Sequence, residues 1–393
     1  MRGTKYRFPW RPDNNFELLI DGVAFFPRML GVIDAAREYI LLEMYLFESG
    51  RLAERFIEAL IGAARRGVRV LVLLDDFGAR RLNRRDRQRL ASADIELAFY
   101  NPLRYGELRR NLFRDHRKLL LVDAEVGFIG GAGIADVFDG LDNPTHAWRE
   151  TMVQIRGPVL ADWQALFAEV WDRLHAQPLD VLLRTPSPIA QGPLGRVSCS
   201  GGLKAQEVKR AAIKWMRGAE HRVWVATAYF IPSWKIRRAL RRAARQGADV
   251  RLLLPGPYTD HPGVRQAGRR FYTRLLRNGV RVFEYQPRFL HQKVLLCDQH
   301  VSIGSTNLDR WNLRWNLEAN QDIDDQDFAE RVQAMLEEDF EHSHEILFEQ
   351  WRYRPWHRRL LEWFFGKVDL FLERIGRRRR SSRHRHRRTE DRD

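Results

Sequence analysis

The sequence predicts an α/β protein made of two similar domains, each a sheet covered by helices on both faces, followed by an amphipathic and basic C-terminal tail. Three observations carry this expectation. Apolar runs of strand length alternate with amphipathic helices that stop at Gly, the same series of elements occurs twice, and a short polar motif recurs in both series. At 393 residues the chain exceeds one ordinary core, so two domains of about 150–200 residues are expected.

In the first series Tyr39–Phe47 reads as a buried strand. A helix then ends in Ala63-Ala64-Arg65-Arg66-Gly67, and Val68–Leu74 is the next strand. Arg85–Ala91 forms a helix leading into the strand Ile95–Tyr100. In the second series the same roles fall to Val223–Phe230, a helix closing on Ala243-Ala244-Arg245-Gln246-Gly247, Ala248–Leu254, Arg265–Arg277 and Val280–Tyr285. Continuous apolar strands between helices indicate largely parallel, doubly covered sheets. Between the series, the stretch 177–206 places Pro178, Pro186, Pro188 and Pro193 among glycines, as a connection does. The expected limits are a first domain at 1–180, a linker at 181–206, a second domain at 207–350 and a tail at 351–393.

The repeated motif is His116-x-Lys118, then Asp123, then Gly130-Gly131. Its second copy is His291-x-Lys293, then Asp298, then Gly304-Ser305-Thr306-Asn307. Each histidine opens an apolar run, Leu119–Val122 or Val294–Cys297. Side chains alternate along a strand, so His and Lys two residues apart share a face and can reach one phosphate. Lysine supplies positive charge, and an imidazole can attack phosphorus or carry a proton. Gly130 and Gly131 leave backbone N–H groups open to a phosphate, and Ser305 and Asn307 add side-chain donors. A lone His-x-Lys is most often structural. Two copies in matched settings point to a phosphate pocket made from both halves, one offering a nucleophile and the other a proton. Asp123 and Asp298 complete the motif, yet they stand seven residues past their histidines. They are expected beyond the phosphate, closing the strand by capping and charge pairing. Tyr45, Tyr229 and Phe230 follow buried strands and either rim the pocket or pack the core.

Composition excludes several classes. Two cysteines, Cys199 and Cys297, provide neither a disulfide framework nor a zinc site. The first residues contain no apolar segment of a secretory signal, and no run approaches the ~18 apolar residues of a membrane span. His342-x-His344-Glu345 reads as helix-like, where residues two apart do not share a face. There is no H-E-x-x-H. No metal and no cofactor are expected.

These residues resemble the phospholipase D superfamily, whose mark is H-x-K-x4-D-x6-G-[GS]-x-N. The flanks narrow the resemblance. Trp148-Arg149-Glu150 running to Gly157-Pro158, Gly304–Asp309 continuing to Asn316–Asn320, and Phe26-Pro27-Arg28 are similar to the bacterial cardiolipin synthases, most of all the B type, which lacks N-terminal spans. The resemblance extends from about Trp10 to Trp351. It implies two phospholipase D-like α/β/α sandwich domains related by pseudo-twofold symmetry. It also implies a metal-free, two-step phosphatidyl transfer through a phosphohistidine, turning two phosphatidylglycerols into cardiolipin and glycerol. Phosphatidylethanolamine is a second candidate donor. His116 would be the nucleophile and His291 the acid/base, with Lys118 and Lys293 on the phosphate and Glu150 and Glu318 orienting the imidazoles. The sequence departs from the family pattern at Gly133, where the family has Asn.

Charge is uneven. The chain carries +16, of which +9 lies in residues 351–393. Such a field draws polyanions. In the tail, Leu360, Leu361, Phe364, Val368, Phe371, Leu372 and Ile375 recur at helical spacing, with Glu362, Asp369 and Glu373 opposite. Residues Arg377–Arg388 then hold eight arginines. This combination suits peripheral attachment to an anionic phospholipid membrane, expected on the cytoplasmic face of a bacterial cell membrane. The alternative function is a phosphodiesterase acting on nucleic acid. It is disfavoured because the body carries only +7 and lacks aromatics interleaved with basic residues. A non-catalytic scaffold is the third reading, resting on Gly133.

Overall fold

A computed structural model describes residues 6–107, 110–141, 144–175, 178–179, 183–201, 205–310, 312–356, 359–365 and 367. The first half runs β1 (Asn15–Ile20), α1 (Gly22–Ala35), β2 (Tyr39–Met44), α2 (Arg51–Arg65), β3 (Arg69–Asp75), α3 (Arg84–Ala91), β4 (Glu96–Tyr100), β5 (Lys118–Val122), β6 (Val126–Gly130), β7 (Thr151–Arg156) and α4 (Leu160–Trp171). Its seven strands form one sheet in the order β1-β7-β6-β5-β2-β3-β4.

The second half runs β8 (Leu194–Gly201), β9 (Ala205–Gln206), α5 (Glu207–Gly218), β10 (Arg222–Thr227), α6 (Trp234–Arg245), β11 (Asp249–Pro255), α7 (Pro262–Arg269), α8 (Tyr272–Leu276) and β12 (Arg281–Tyr285). It continues with β13 (Lys293–Cys297), β14 (His300–Gly304), α9 (Asn312–Trp315), β15 (Leu317–Asp324), α10 (Gln326–Glu341), β16 (Ser343–Glu345) and α11 (Phe348–Arg352). Here nine strands take the order β16-β12-β11-β10-β13-β14-β15-β8-β9. Without the edge strands β16 and β9 this is the first sheet's order, with β8 standing for β1 and β13 for β5.

Helices α2 and α6 show why the local sequence folds this way. Each buries one apolar stripe, Leu52, Phe56, Ile57 and Leu60 in α2 and Ile236, Ala239, Leu240 and Ala243 in α6. Each then ends on a glycine in the left-handed region, Gly67 at φ 87° and Gly247 at φ 102°, which a side chain would strain. Three apolar layers result. One lies between the sheets and receives α4 and α10, through Trp163, Phe167, Phe328 and Val332 among others. The other two lie outside the sheets, under α1 and α2 in the first half and under α5 to α8 in the second. The two-domain α/β/α architecture is therefore as the sequence predicts.

Four details differ. The sheets are mixed: β2-β3-β4 and β10-β11-β12 are parallel, while β5-β6-β7 and β13-β14-β15 are antiparallel. Residues 123–125 join β5 to β6 and residues 298–299 join β13 to β14, which leaves no room for the crossover a parallel pair requires. The stretch 181–206 is not wholly linker, because β8 within it pairs with β15 along its full length. The helix expected at 265–277 is two helices, α7 and α8. Finally, His344-Glu345 lies in the edge strand β16, not in a helix, and Glu345 pairs with Arg281 at 2.8 Å.

The tail is described as far as residue 367, with 359–365 helical, and its arginine cluster at 377–388 lies outside the described residues, as do Val368 to Ile375. Glu362 does not face outward with the polar side. It is buried against Arg354 at 2.8 Å. Phe365 packs on α7, where a Cβ added to Gly263 would come within 2.9 Å of its ring. Leu360, Leu361, Trp363 and Phe364 are left facing solvent. Among the described residues no helix is long and apolar enough to cross a membrane.

Candidate active site

The two motif strands, β5 and β13, run side by side in neither sheet, yet their histidines meet in one cavity of about 530 Å³. It is lined by His116 and Lys118 from one half and His291 from the other, with Tyr45, Tyr229 and Trp148 beside them. Lys293 is buried behind His291.

At the cavity the halves are joined by a pair of equivalent backbone bridges. The His116 N–H donates to the Leu317 carbonyl at 2.9 Å, and the His291 N–H donates to the Arg149 carbonyl at 2.8 Å. The residue after each acceptor is a glutamate that binds the same histidine's ring. Glu318 Oε1 lies 3.0 Å from His116 Nδ1, and Glu150 Oε2 lies 2.5 Å from His291 Nδ1. The pairing is thus crossed: each imidazole takes its carboxylate from the other half. Arg149 anchors one bridge through buried ion pairs with Asp21 and Asp339, both at 2.9 Å.

The carboxylates differ in their further partners. Glu318 accepts a short hydrogen bond from the Ser305 hydroxyl and a long one, 3.5 Å, from Asn316. Glu150 accepts from the Thr151 N–H at 2.9 Å and faces Lys293 Nζ at 3.4 Å. Where the second half has Ser305 the first has Gly131, and a Cβ there would sit 2.3 Å from Glu150 Oε2. Glu150 fills the space a hydroxyl would need. Burial raises its carboxyl to about 7 against the downward pull of Lys293. Burial lowers the His291 imidazole well below its ordinary range, with Lys293 and Lys118 adding to the effect. His116 is lowered too, by burial, against Glu318. Lys118 falls to about 7, again through burial first. Burial therefore favours the neutral form of both imidazoles and leaves both lysines short of their usual basicity, and a phosphate anion beside the lysines would act in the opposite direction on them.

Around the rings the halves differ again. Tyr45 lies 4.7 Å from His116. His291 is boxed by Trp148 at 5.2 Å, Phe138 at 5.3 Å and Phe289 at 5.7 Å, with Tyr229 at 6.5 Å. Phe230 is core, buried with Ile231. Phe138 and Phe289 are residues the sequence reading missed. Phe289 stands two positions before His291, so strand alternation could have found it.

Asn307 is fully buried. Its carbonyl oxygen accepts from Thr227 Oγ1 and from the Tyr229 N–H, both at 3.3 Å, and its amide nitrogen has no partner. The corresponding Gly133 cannot carry such a side chain, because a Cβ would meet Leu46 Cβ at 2.6 Å and the Leu46 carbonyl at 2.8 Å. Gly130 and Gly304 close the β6 and β14 strands beside these turns.

The motif aspartates lie elsewhere. Asp123 accepts the backbone N–H groups of Arg37, Glu38 and Tyr39 at 2.8–2.9 Å, and Asp298 those of Glu220, His221 and Arg222 at 2.9–3.1 Å. These bonds clamp the loops entering β2 and β10, at the strand ends away from the cavity. For Asp298, burial acts upward, but the three donors hold it below the usual carboxylate range. Asp123 and Asp298 thus stand away from the cavity as backbone clamps, and in place of the charge pairing expected of them they hydrogen-bond to amides.

The chain is similar to known proteins over most of its length. A family model described as "Cardiolipin synthase, PLD-like domain" matches the chain twice, over residues 29–171 and 212–340. Cardiolipin synthase A of Pseudomonas putida (strain W619) is 38% identical over 344 residues, covering 86% of this chain and 71% of that protein. Cardiolipin synthase A of Pseudomonas aeruginosa (strain LESB58) is 37% identical over 345 residues, covering 86% and 70%. Both carry the A-type name, where the motif flanks pointed to the B type. Among solved structures, phosphatidylserine synthase of Haemophilus influenzae Rd KW20 covers 93% of this chain and 96% of its own, with a TM-score of 0.72 and 14% identity, a likeness of fold.

Proposed function

The chain belongs to the cardiolipin synthase family of phospholipase D-like proteins and is a phosphatidyltransferase, and we propose that it joins two phosphatidylglycerols through a phosphohistidine on His116. His116, neutral and oriented by Glu318, attacks the phosphorus of one phospholipid. The P–O bond to the departing glycerol breaks as a P–N bond forms, and the glycerol oxygen takes a proton from His291. A hydroxyl of the second phosphatidylglycerol then gives its proton back to His291 and attacks phosphorus. The P–N bond breaks and cardiolipin leaves. Phosphatidylethanolamine fits the same first step as an alternative donor, releasing ethanolamine.

The observation that carries this division of labour is Glu150. A carboxyl titrating near 7 and hydrogen-bonded to His291 can replace the proton His291 gives away, so a neutral imidazole can still serve as an acid. Glu318, fixed by Ser305, is suited to holding the nucleophile. Asn307 would bind a phosphate oxygen through its unpartnered amide. The substrate lies in a bilayer, and the solvent-facing Trp363 and Phe364 suit attachment to a membrane's cytoplasmic face. Purified protein given phosphatidylglycerol vesicles, with and without phosphatidylethanolamine, should form cardiolipin and release the small alcohol, both read by mass spectrometry. Absence of cardiolipin from both mixtures overturns the reading.

A further inference from the structure

We propose that the outer face of the second half, formed by α6 and α8, is a docking surface for anionic phospholipid, with Arg237, Arg241 and Arg274 receiving lipid phosphates and Trp234 entering the interface. The internal duplication supplies the control. In the first half α2 occupies the place of α6, and it carries acids among its basic residues. Glu54 and Glu58 pair with Arg89 of α3, and Arg55 faces Asp139 at 3.6 Å. In α6 half of the twelve residues are Lys or Arg, and none is acidic. Among the described residues, Lys235, Arg237, Arg238, Arg241, Arg242 and Arg245 make no ion pair with any carboxylate, and neither does Arg274 of α8.

These cations crowd each other. Burial, and then the charges of Arg310, Arg270, Arg241 and Arg274, lower the Arg237 guanidinium to about 10. Arg241 is lowered likewise, by burial and then by Arg274, Arg245 and Arg238. Arg237 Nε is buried with no hydrogen-bond partner. Its guanidinium carbon sits 4.5 Å from the Phe271 ring, which holds the head in place without satisfying it. The helix in the equivalent place, α2, carries acids that α6 lacks. Clustered guanidiniums without counter-ions fit phosphates supplied from outside. Trp234, 53% exposed with Arg238 over its ring, opens α6 just after β10, the strand whose end meets Lys293. An exposed indole beside arginines fits the headgroup region of a bilayer. The surface needs none of the residues around His116 and His291.

The test is sedimentation of the full chain with phosphatidylcholine vesicles containing about one-third phosphatidylserine, which attract basic residues by about 1 kcal/mol each. The triple variant Arg237→Gln, Arg241→Gln, Arg274→Gln should lower partitioning on the order of 100-fold, and the matching Arg→Lys triple by about threefold or less. Arg65→Gln, Arg84→Gln, Arg85→Gln removes the same charge from the first half and should also cost about threefold or less. Equal losses in the two Gln triples, or no loss in the α6–α8 triple, overturn the proposal. Should that triple not fold by thermal melt, the exposed Arg274→Glu alone should lower binding about tenfold, and an unchanged value overturns the proposal. Loss of affinity for a single-stranded oligonucleotide with vesicle binding intact also overturns it. No turnover is needed and phosphatidylglycerol is absent, so this result is independent of the transfer reaction proposed above.

Discussion

Around His116, the partner carboxylate Glu318 is gripped by the Ser305 hydroxyl and one tyrosine ring leans on the imidazole. Around His291, Glu150 has an amide and a lysine instead of a hydroxyl, and Trp148, Phe138 and Phe289 box the ring. The backbone frame is the same in both places, down to the histidine N–H donating across to the other half. A duplicated frame can therefore hold two different proton chemistries, set by a few side chains. Gly131 in place of Ser305 is the smallest of these and reaches furthest, since it lets a carboxyl without a hydroxyl donor occupy the site.

The largest test removes the imidazoles. His116→Ala and His291→Ala should each lower phosphatidyl transfer on the order of 10,000-fold or more, yet leave different traces. With radiolabelled phospholipid, the His291 variant should retain label on His116 and the His116 variant should retain none. Label on the His116 variant would exchange the roles of the halves.

Next come the carboxylates. Glu150 is protonated below about 7 and ionised above it, so the transfer rate should fall as pH rises through 7. Glu150→Gln should cut kcat on the order of 100-fold or more and erase that basic limb. Glu318→Gln should cost about 10- to 100-fold and leave the limb in place. A limb that survives in the Glu150 variant would mean that another group carries the proton.

Exchanging the turn residues is a milder probe. Asn307→Gly imitates Gly133 and should lower kcat/KM about tenfold, as loss of one donor to a phosphate does. Gly133→Asn should not restore symmetry. Its side chain collides with Leu46, and denaturant unfolding should record a loss of about 1–3 kcal/mol. The smallest catalytic effect is expected at the clamps. Asp123→Ala and Asp298→Ala should each destabilise by about 1–3 kcal/mol through three stranded amides, with activity per folded molecule within about twofold of the parent. A kcat loss comparable to the histidine variants would return these aspartates to the chemistry.

Much of this was legible because strand periodicity is local. His and Lys two apart had to share a face, and the repeated helix and strand series had to give two like sheets. The crossed pairing was not legible. Glu150 and His291 are 141 residues apart, Glu318 and His116 are 202 apart, and nothing in a local pattern says which half supplies which partner. Reading the apolar strands as largely parallel failed for a related reason. Burial on both faces makes a strand apolar whatever its direction, and direction here was decided by turns as short as Asp298-Gln299. The outward face of residues 360–364 was misjudged because the body, through Arg354 and Gly263, chose which side of that helix to cover.

The reciprocal bridges carry a consequence for the molecule's architecture. Residue for residue, the first half does to the second what the second does to the first, which is the contact pattern of an isologous interface between identical subunits. Neither half owns a complete histidine–carboxylate couple. The polypeptide is in effect a twofold dimer drawn on one thread. Each face is bound to its permanent mate at the effective concentration of a tether. With its pairing fixed, either face could change without its twin, as Gly131 and Gly133 have.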